Sequence, residues 1–304
     1  MTTSDRRVGG RRPYVDRPAG DLDAAGAVAR RAARAWGLAD PRLLRVGMNA
    51  IYLAGPAVLR VGHPTVGGDV AIRLARCLSA AGIPVAEPAR EDLIVDDGFT
   101  VTCWQHLAAV DAPVDWVEVG RIVRRVHDLD PTRLPTDYPI PSPRSFDWWD
   151  FEAMLAELGP RIDEVARGGL RAAVDRHPRW WSGDDLVVCH GDVHAGNVVM
   201  VASGPVLIDW DLMCRAPRGW DHGPLMTWAD RWGGDPAAYP RFAAGYGTDL
   251  RGDPATLAIA ELRLVAATLL RVRAAAADPR AQDEVERRLR YWRGDPDAPA
   301  WCAQ

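Results

Sequence analysis

The sequence predicts an α+β chain in two lobes: a small β-rich N-lobe over residues 21–107 and a larger, mostly helical C-lobe over residues 108–304. Three observations predict it. Short apolar runs separated by Gly, Pro and Asn turns crowd the first hundred residues, which is the pattern of strands. From about residue 114 onward, apolar residues recur at helical spacing instead. Amid those helices, two loops rich in Asp and Asn are bracketed by short strand-like runs.

In chain order, residues 1–20 are Gly/Arg-rich and read as a disordered arm. Residues 22–36 have Ala-rich helical composition and stop at Gly37. Residues 43–46, 51–54 and 57–61 read as strands joined by tight turns, and 69–81 as a helix stopped by Gly82. Residues 93–95 and 100–104 form a predicted hairpin around Asp96-Asp97-Gly98. Residues 105–112 cross to the second lobe, where 114–129 is an amphipathic helix. Five prolines make 131–143 a surface connection. Helices are predicted at 148–158, 161–176, 221–232, 237–245, 254–277 and 282–292, with strands at 186–189, 198–201 and 205–208. The tail after Gly294 reads as loose.

Composition narrows the class. With 48% hydrophobic and 26% charged residues over 304 positions, the chain is an ordinary globular protein with enough length for a sizeable core. No apolar run reaches membrane-spanning length, and no signal peptide is recognisable. Five cysteines without a CxxC pair suit a reduced, cytoplasmic setting. A net charge of −4 argues against a general nucleic-acid binder, and the five arginines before Pro18 read as a solvated cluster. The chain has no lysine, so any cation that meets a phosphate is a guanidinium.

The chemistry concentrates in His190-Gly191-Asp192-Val193-His194-Ala195-Gly196-Asn197 and in Ile208-Asp209-Trp210-Asp211. The first segment has the His-x-Asp-x-x-x-x-Asn spacing of a kinase catalytic loop. An Asp, an Asn five residues on and an Asp beyond a hairpin would meet at one edge of a small sheet. Together they offer a carboxylate to orient a hydroxyl and two hard oxygens for Mg²⁺ on phosphates. Asp211 is either a further metal ligand or a structural acid. The His-x-x-x-His spacing of His190 and His194 is a zinc pattern only on a helix, and the flanking glycines disfavour one.

These motifs resemble the aminoglycoside phosphotransferase and choline kinase group, small-molecule kinases with a protein-kinase-like fold. Residues 57–61, 80–85, 101–107 and 218–225 look like that group too, so the resemblance spans about residues 40–290. It implies Asp192 as catalytic base, His190 as the residue orienting the loop backbone, and Asn197 and Asp209 as metal-holding groups, with Asp211 a candidate third. It also implies ATP or GTP as donor and a small-molecule hydroxyl as acceptor, an antibiotic or a metabolite such as an amino-alcohol or sugar. Arg60 stands where the group carries its phosphate-binding cation, and Gln105, His106 and Leu107 where a hinge meets adenine. Kinases pair that cation with a Glu on the next helix, but the first Glu here is Glu87, so Asp69 is the substitute or the pair is missing. A binding module without turnover is the alternative reading. Asp147, Trp148 and Asp150, with Asp221 and Asp230, are acceptor-site candidates, because acids beside aromatics suit a cationic or sugar-like ligand.

Overall fold

The computed structural model describes residues 12–178, 180–181, 185–276 and 278–302. The first lobe is a five-stranded antiparallel sheet with two helices. Its strands are β1 (Arg42–Val46), β2 (Ala50–Ala54), β3 (Ala57–Gly62), β4 (Ile94–Asp96) and β5 (Phe99–Gln105), in the order β1-β2-β3-β5-β4. Strand periodicity sorts β3: Leu59 and Val61 are buried with the small residues of α1 (Leu22–Ala35), while Val58 and Arg60 line the interlobe cleft. Asp21 caps α1, accepting the Asp23 and Ala24 N–H groups at 3.0 Å. The second helix, α2 (Asp69–Ala80), turns Val70, Leu74 and Leu78 into the main core.

The second lobe is built on α3 (Trp116–His127), α4 (Phe151–Leu158), α5 (Glu164–Arg176), α6 (Gly219–Met226), α7 (Trp228–Trp232), α8 (Ala238–Tyr246), α9 (Pro254–Ala275) and α10 (Gln282–Trp292). Helices α3 and α8 pack backbone to backbone. A Cβ on Gly245 would lie 1.8 Å from the Val117 carbonyl oxygen, and one on Gly120 would lie 2.1 Å from that of Phe242. Only glycine permits that approach. A cluster of rings, Phe146, Trp148, Trp149, Trp180 and Trp220, fills the space beside α9. Four short strands sit at the cleft: β6 (Leu186–Cys189), β7 (Val198–Val201), β8 (Gly204–Leu207) and β9 (Cys214–Pro217). The lobes join where Leu207 N–H reaches the Pro84 carbonyl at 3.3 Å and Val110 N–H that of Met200 at 2.8 Å.

Several expectations need correction. Residues 1–11 of the expected arm lie outside the described residues, but its remainder is not loose: Tyr14, Val15 and Ala19 are buried, and Val15 bridges Pro64. Nor is the C-terminal tail, since Trp301 is 2% exposed and stacks edge-on against Trp232 and Tyr291. The single small sheet becomes two ribbons, β6 with β9 and β7 with β8. The helix expected from Trp148 begins at Phe151, because Asp150 breaks off as its cap and takes the Ala153 N–H at 3.0 Å. The helix expected over 221–232 is two, with Pro224 inside α6 removing one ladder donor and α7 ending at left-handed Gly233.

Candidate active site

The loop from His190 to Asn197 leaves β6 and ends where β7 begins. Its first turn is fixed by a buried carboxylate. Asp221, 0% exposed on α6, accepts the N–H groups of His190 and Gly191, each at 2.8 Å, and His127 Nε2 at 3.1 Å. Burial alone would raise the Asp221 pKa, but His127, His190 and the Gly191 amide together hold it below the ordinary value. Gly191 sits at φ +96°, and a Cβ there would lie 2.0 Å from the Leu212 carbonyl oxygen. Asp221 is therefore a brace beneath the loop and not an acceptor contact, which corrects its earlier placement.

His190 holds the loop from inside. Its Nε2 lies 3.1 Å from the Ile208 carbonyl oxygen, and its Nδ1 accepts the Asp192 N–H at 3.3 Å. Nε2 is thus the protonated nitrogen, and burial pushes the ring pKa down, keeping it neutral.

Asp192 is about one-third exposed, with both oxygens partnered. Oδ2 accepts Asn197 Nδ2 at 3.1 Å and faces His194 Nε2 at 3.3 Å. Oδ1 accepts Arg263 Nη2 at 3.0 Å. Burial pulls its pKa upward, but His194, Arg263 and His190 outweigh that and hold it well below the carboxylate range. His194 is oriented by taking the Gly196 N–H on Nδ1 at 3.1 Å, which leaves Nε2–H for Asp192. Asn197 also donates to the Asp192 carbonyl at 2.9 Å. Its amide nitrogen is therefore committed to Asp192, and among the described residues its Oδ1 has no hydrogen bond.

The second segment supplies the opposite wall. Asp209 is left-handed at φ +67°, a conformation uncommon outside glycine and found where a site overrides local preference. Arg45 Nη2 of β1 donates to Asp209 Oδ2 at 2.9 Å. Burial, and then the neighbouring Asp211 charge, raise the Asp209 pKa. Asp211 is 6% exposed and bonded by Asn49 Nδ2 at 2.8 Å and by Arg60 at both oxygens. The Arg60 guanidinium also lies 5.6 Å from the centre of the Tyr14 ring.

Arg60 thus has a carboxylate partner, but not the expected one. Asp69 faces solvent with Arg73 at 3.1 Å, where α2 carries it away from the cleft. Both Asp211 oxygens are engaged, so in this arrangement it is the partner of Arg60 and Asn49, not an open metal ligand.

A glycine-and-aspartate loop braced from below, facing the two carboxylates of Asp209 and Asp211 across a cleft between a five-stranded sheet and a helical lobe, is the architecture of a kinase. Residues 50–262, well over half of the chain, match the model of a family described as the phosphotransferase enzyme family. The chain belongs to that family. It is a small-molecule phosphotransferase with a protein-kinase-like fold. Its fold is shared with a spectinomycin phosphotransferase solved with ADP and spectinomycin (TM-score 0.59, 17% identity, 86% of this chain and 90% of that one). It is also shared with an amicoumacin kinase solved with AMP-PNP, Ca²⁺ and Ami (0.63, 15%, 89% and 93%). A choline/ethanolamine kinase family protein from Mesorhizobium loti is a third (0.57, 18%, 91% and 95%). None of the curated proteins matches the chain in sequence.

The phosphotransferase cleft encloses ≈ 2190 Å³ and is lined by both lobes. Gln105, His106 and Leu107 line it at the crossover. The Gln105 N–H goes to the Glu87 carbonyl at 2.8 Å and the His106 N–H to that of Pro56 at 3.0 Å. Leu107 N–H is the first of the three without a backbone partner among the described residues. Asp147, Trp148 and Asp150 also line the cleft. Asp230 does not: it is exposed on α7, whose Trp228 and Trp232 point into the cleft instead.

Sequence reasoning missed Arg45, Asn49 as a side chain, and Arg263. All three contact the predicted acids across separations of 71 to 164 residues. No local pattern carries such pairs. For Arg263 one signal existed: it sits between Leu262 and Leu264, both buried, on α9, where an unpaired charge is costly.

Proposed function

We propose that the chain transfers the γ-phosphoryl group of ATP or GTP to a hydroxyl of a small molecule, with Asp192 receiving the hydroxyl proton. The observation that carries this reading is the three-point clamp on Asp192 by Asn197, His194 and Arg263. A carboxylate so held is ionised across the physiological range and fixed in direction, as in-line transfer through a loose transition state requires. Its depressed pKa makes it a weak base in the ground state. Its contribution is positioning first, then acceptance of the proton as the new O–P bond forms and the hydroxyl acidifies.

The donor set suits Mg²⁺. Asn197 Oδ1 and Asp209 Oδ1 are oxygen ligands with no hydrogen bond among the described residues, and hard cations take oxygen. Bound there, Mg²⁺ would neutralise charge on the donor phosphates. Arg45 and Arg60 supply guanidinium groups on the N-lobe wall, so they are the candidate phosphate contacts in a chain without lysine. Leu107, with its unshared N–H, is the candidate hinge contact for the nucleobase.

The test is Asp192→Asn, with Mg-ATP affinity and product formation measured separately. Transfer is expected to fall by at least 1,000-fold, about 4 kcal/mol in transition-state stabilisation, with nucleotide affinity within threefold of the parent. Turnover surviving within tenfold would remove Asp192 from the role. Nucleotide binding by the parent without product from any hydroxyl acceptor would instead favour a non-catalytic binding module.

A further inference from the structure

The acceptor end of the cleft has a charge that its acid-and-tryptophan segment conceals. The wall formed by α4, α9 and α10 presents four arginines, Arg263, Arg271, Arg273 and Arg288, against one lining acid, Glu157. Three of the four are neutralised within the protein. Arg263 holds Asp192, Arg273 pairs with Glu157 at 2.6 Å, and Arg288 pairs with the buried Glu284 at 2.7 Å.

Arg271 is different. It is half-buried, its Nε is enclosed without a hydrogen-bond partner, and it forms no ion pair among the described residues. Asp278 feels its charge but bonds to Arg280 at 2.9 Å. The like charge of Arg271 also opposes Arg288, alongside the burial that disfavours the Arg288 cation. Its enclosed Nε costs free energy without an acceptor, and on this wall it is the one guanidinium with no carboxylate partner among the described residues.

On the facing segment Asp147 and Asp150 are both exposed, where water screens their charges, and Asp150 also caps α4. The unbalanced charge deep in the wall is therefore positive. Helix geometry fixes its distance from the reacting end. Arg263, which touches Asp192, and Arg271 are eight residues apart on α9, about 12 Å at 1.5 Å per residue. Trp148, Trp228 and Trp232 line the same cleft and offer flat apolar surface for the body of a ligand.

Building on the phosphotransferase reading of this cleft, we propose that the acceptor carries an anionic group, a carboxylate or its equivalent. Its hydroxyl lies at Asp192 and its anion at Arg271. The site then disfavours polycationic aminocyclitols, because each ammonium would meet the positive wall.

The probes are 4-(hydroxymethyl)benzoate, its neutral amide and 4-(hydroxymethyl)benzylamine, which share a hydroxyl and an aromatic body and differ in charge. Binding to the full chain is read by tryptophan fluorescence, with Mg-ATP affinity measured in parallel. The carboxylate is expected to bind at least tenfold tighter than the amide or the amine. Arg271→Gln should erase that preference, Arg271→Lys should retain part of it, and Arg121→Gln on the distant surface of α3 should leave it intact. Equal binding of the three probes, tighter binding of the amine, no binding of any, or a preference that survives Arg271→Gln would each overturn the proposal. Failure of the phosphotransferase reading looks different: Mg-ATP would not bind, or would bind without phosphate passing to any hydroxyl acceptor, whatever the charge preference.

Discussion

Replacing Asp221 by Asn tests whether the catalytic loop is held from beneath. The carboxylate is fully buried and accepts three hydrogen bonds, two from loop amides and one from His127. An amide of the same shape keeps one oxygen but turns an N–H₂ group toward donors that cannot accept. Hydrogen bonds to a charged group contribute about 1.5–3 kcal/mol each, and a buried donor without a partner costs about 1–3 kcal/mol. Because one oxygen survives, the loss is not the sum of three bonds. The expected destabilisation is about 3–5 kcal/mol, the range for breaking one side of a buried charged pair. For a chain of this size that lowers the melting temperature by roughly 5–15 °C. Activity should fall further than stability accounts for. A loop displaced by about 1 Å loses on the order of 100-fold in rate, so kcat measured well below the transition should drop by that factor while Mg-ATP affinity holds. The measurements are thermal unfolding and initial rates at matched folded fraction. A melting temperature within about 2 °C of the parent, with kcat within threefold, would refute the brace.

Arg60→Ala should weaken Mg-ATP at least tenfold and destabilise the fold, since Asp211 loses its cation inside the protein; titration calorimetry checks the first, and unchanged affinity would remove Arg60 from the phosphate site. His222 is buried, its Nε2 lacks a partner among the described residues, and burial lowers its pKa to about 4. Between its ordinary 6.5 and that value the unfolded chain takes a proton that the folded chain refuses. Stability should therefore decline as pH falls through that window, by roughly 3 kcal/mol in total from this group. His222→Phe should flatten the decline in urea midpoints, and an unchanged slope would assign the loss elsewhere.

The legible parts of this protein were those written in consecutive residues. The alternation in β3 placed Arg60 on a strand, the spacing from His190 to Asn197 marked the loop, and the apolar runs around it marked three of the four short strands. Strand β9, whose Cys-Arg-Ala-Pro sequence has no apolar run, went unread. Residues 12–20 of the expected N-terminal arm were misread because Gly and Arg dominate the composition of the arm as a whole, while Tyr14 and Val15 tie that stretch down by packing against Tyr138 and Pro64. The acid partner of Arg60 was sought on the following helix, but the strand register sends Arg60 toward the cleft and α2 turns Asp69 to solvent. Trp148 and its acidic neighbours suggested a cationic ligand because they are adjacent in sequence. The arginines that oppose that reading come from α9 and α10, more than a hundred residues away, and become neighbours only through the packing of α4 on α9.

Each site acid is matched to one guanidinium, Asp192 to Arg263, Asp209 to Arg45 and Asp211 to Arg60. An amine in any of these places would begin to lose its proton near pH 10, whereas guanidinium keeps its charge beyond pH 12. The positive half of the active site is also built from planar forks of several donors, each able to keep its carboxylate while turning a free N–H edge to a phosphate, which a point-charge ammonium could not do with the same directionality.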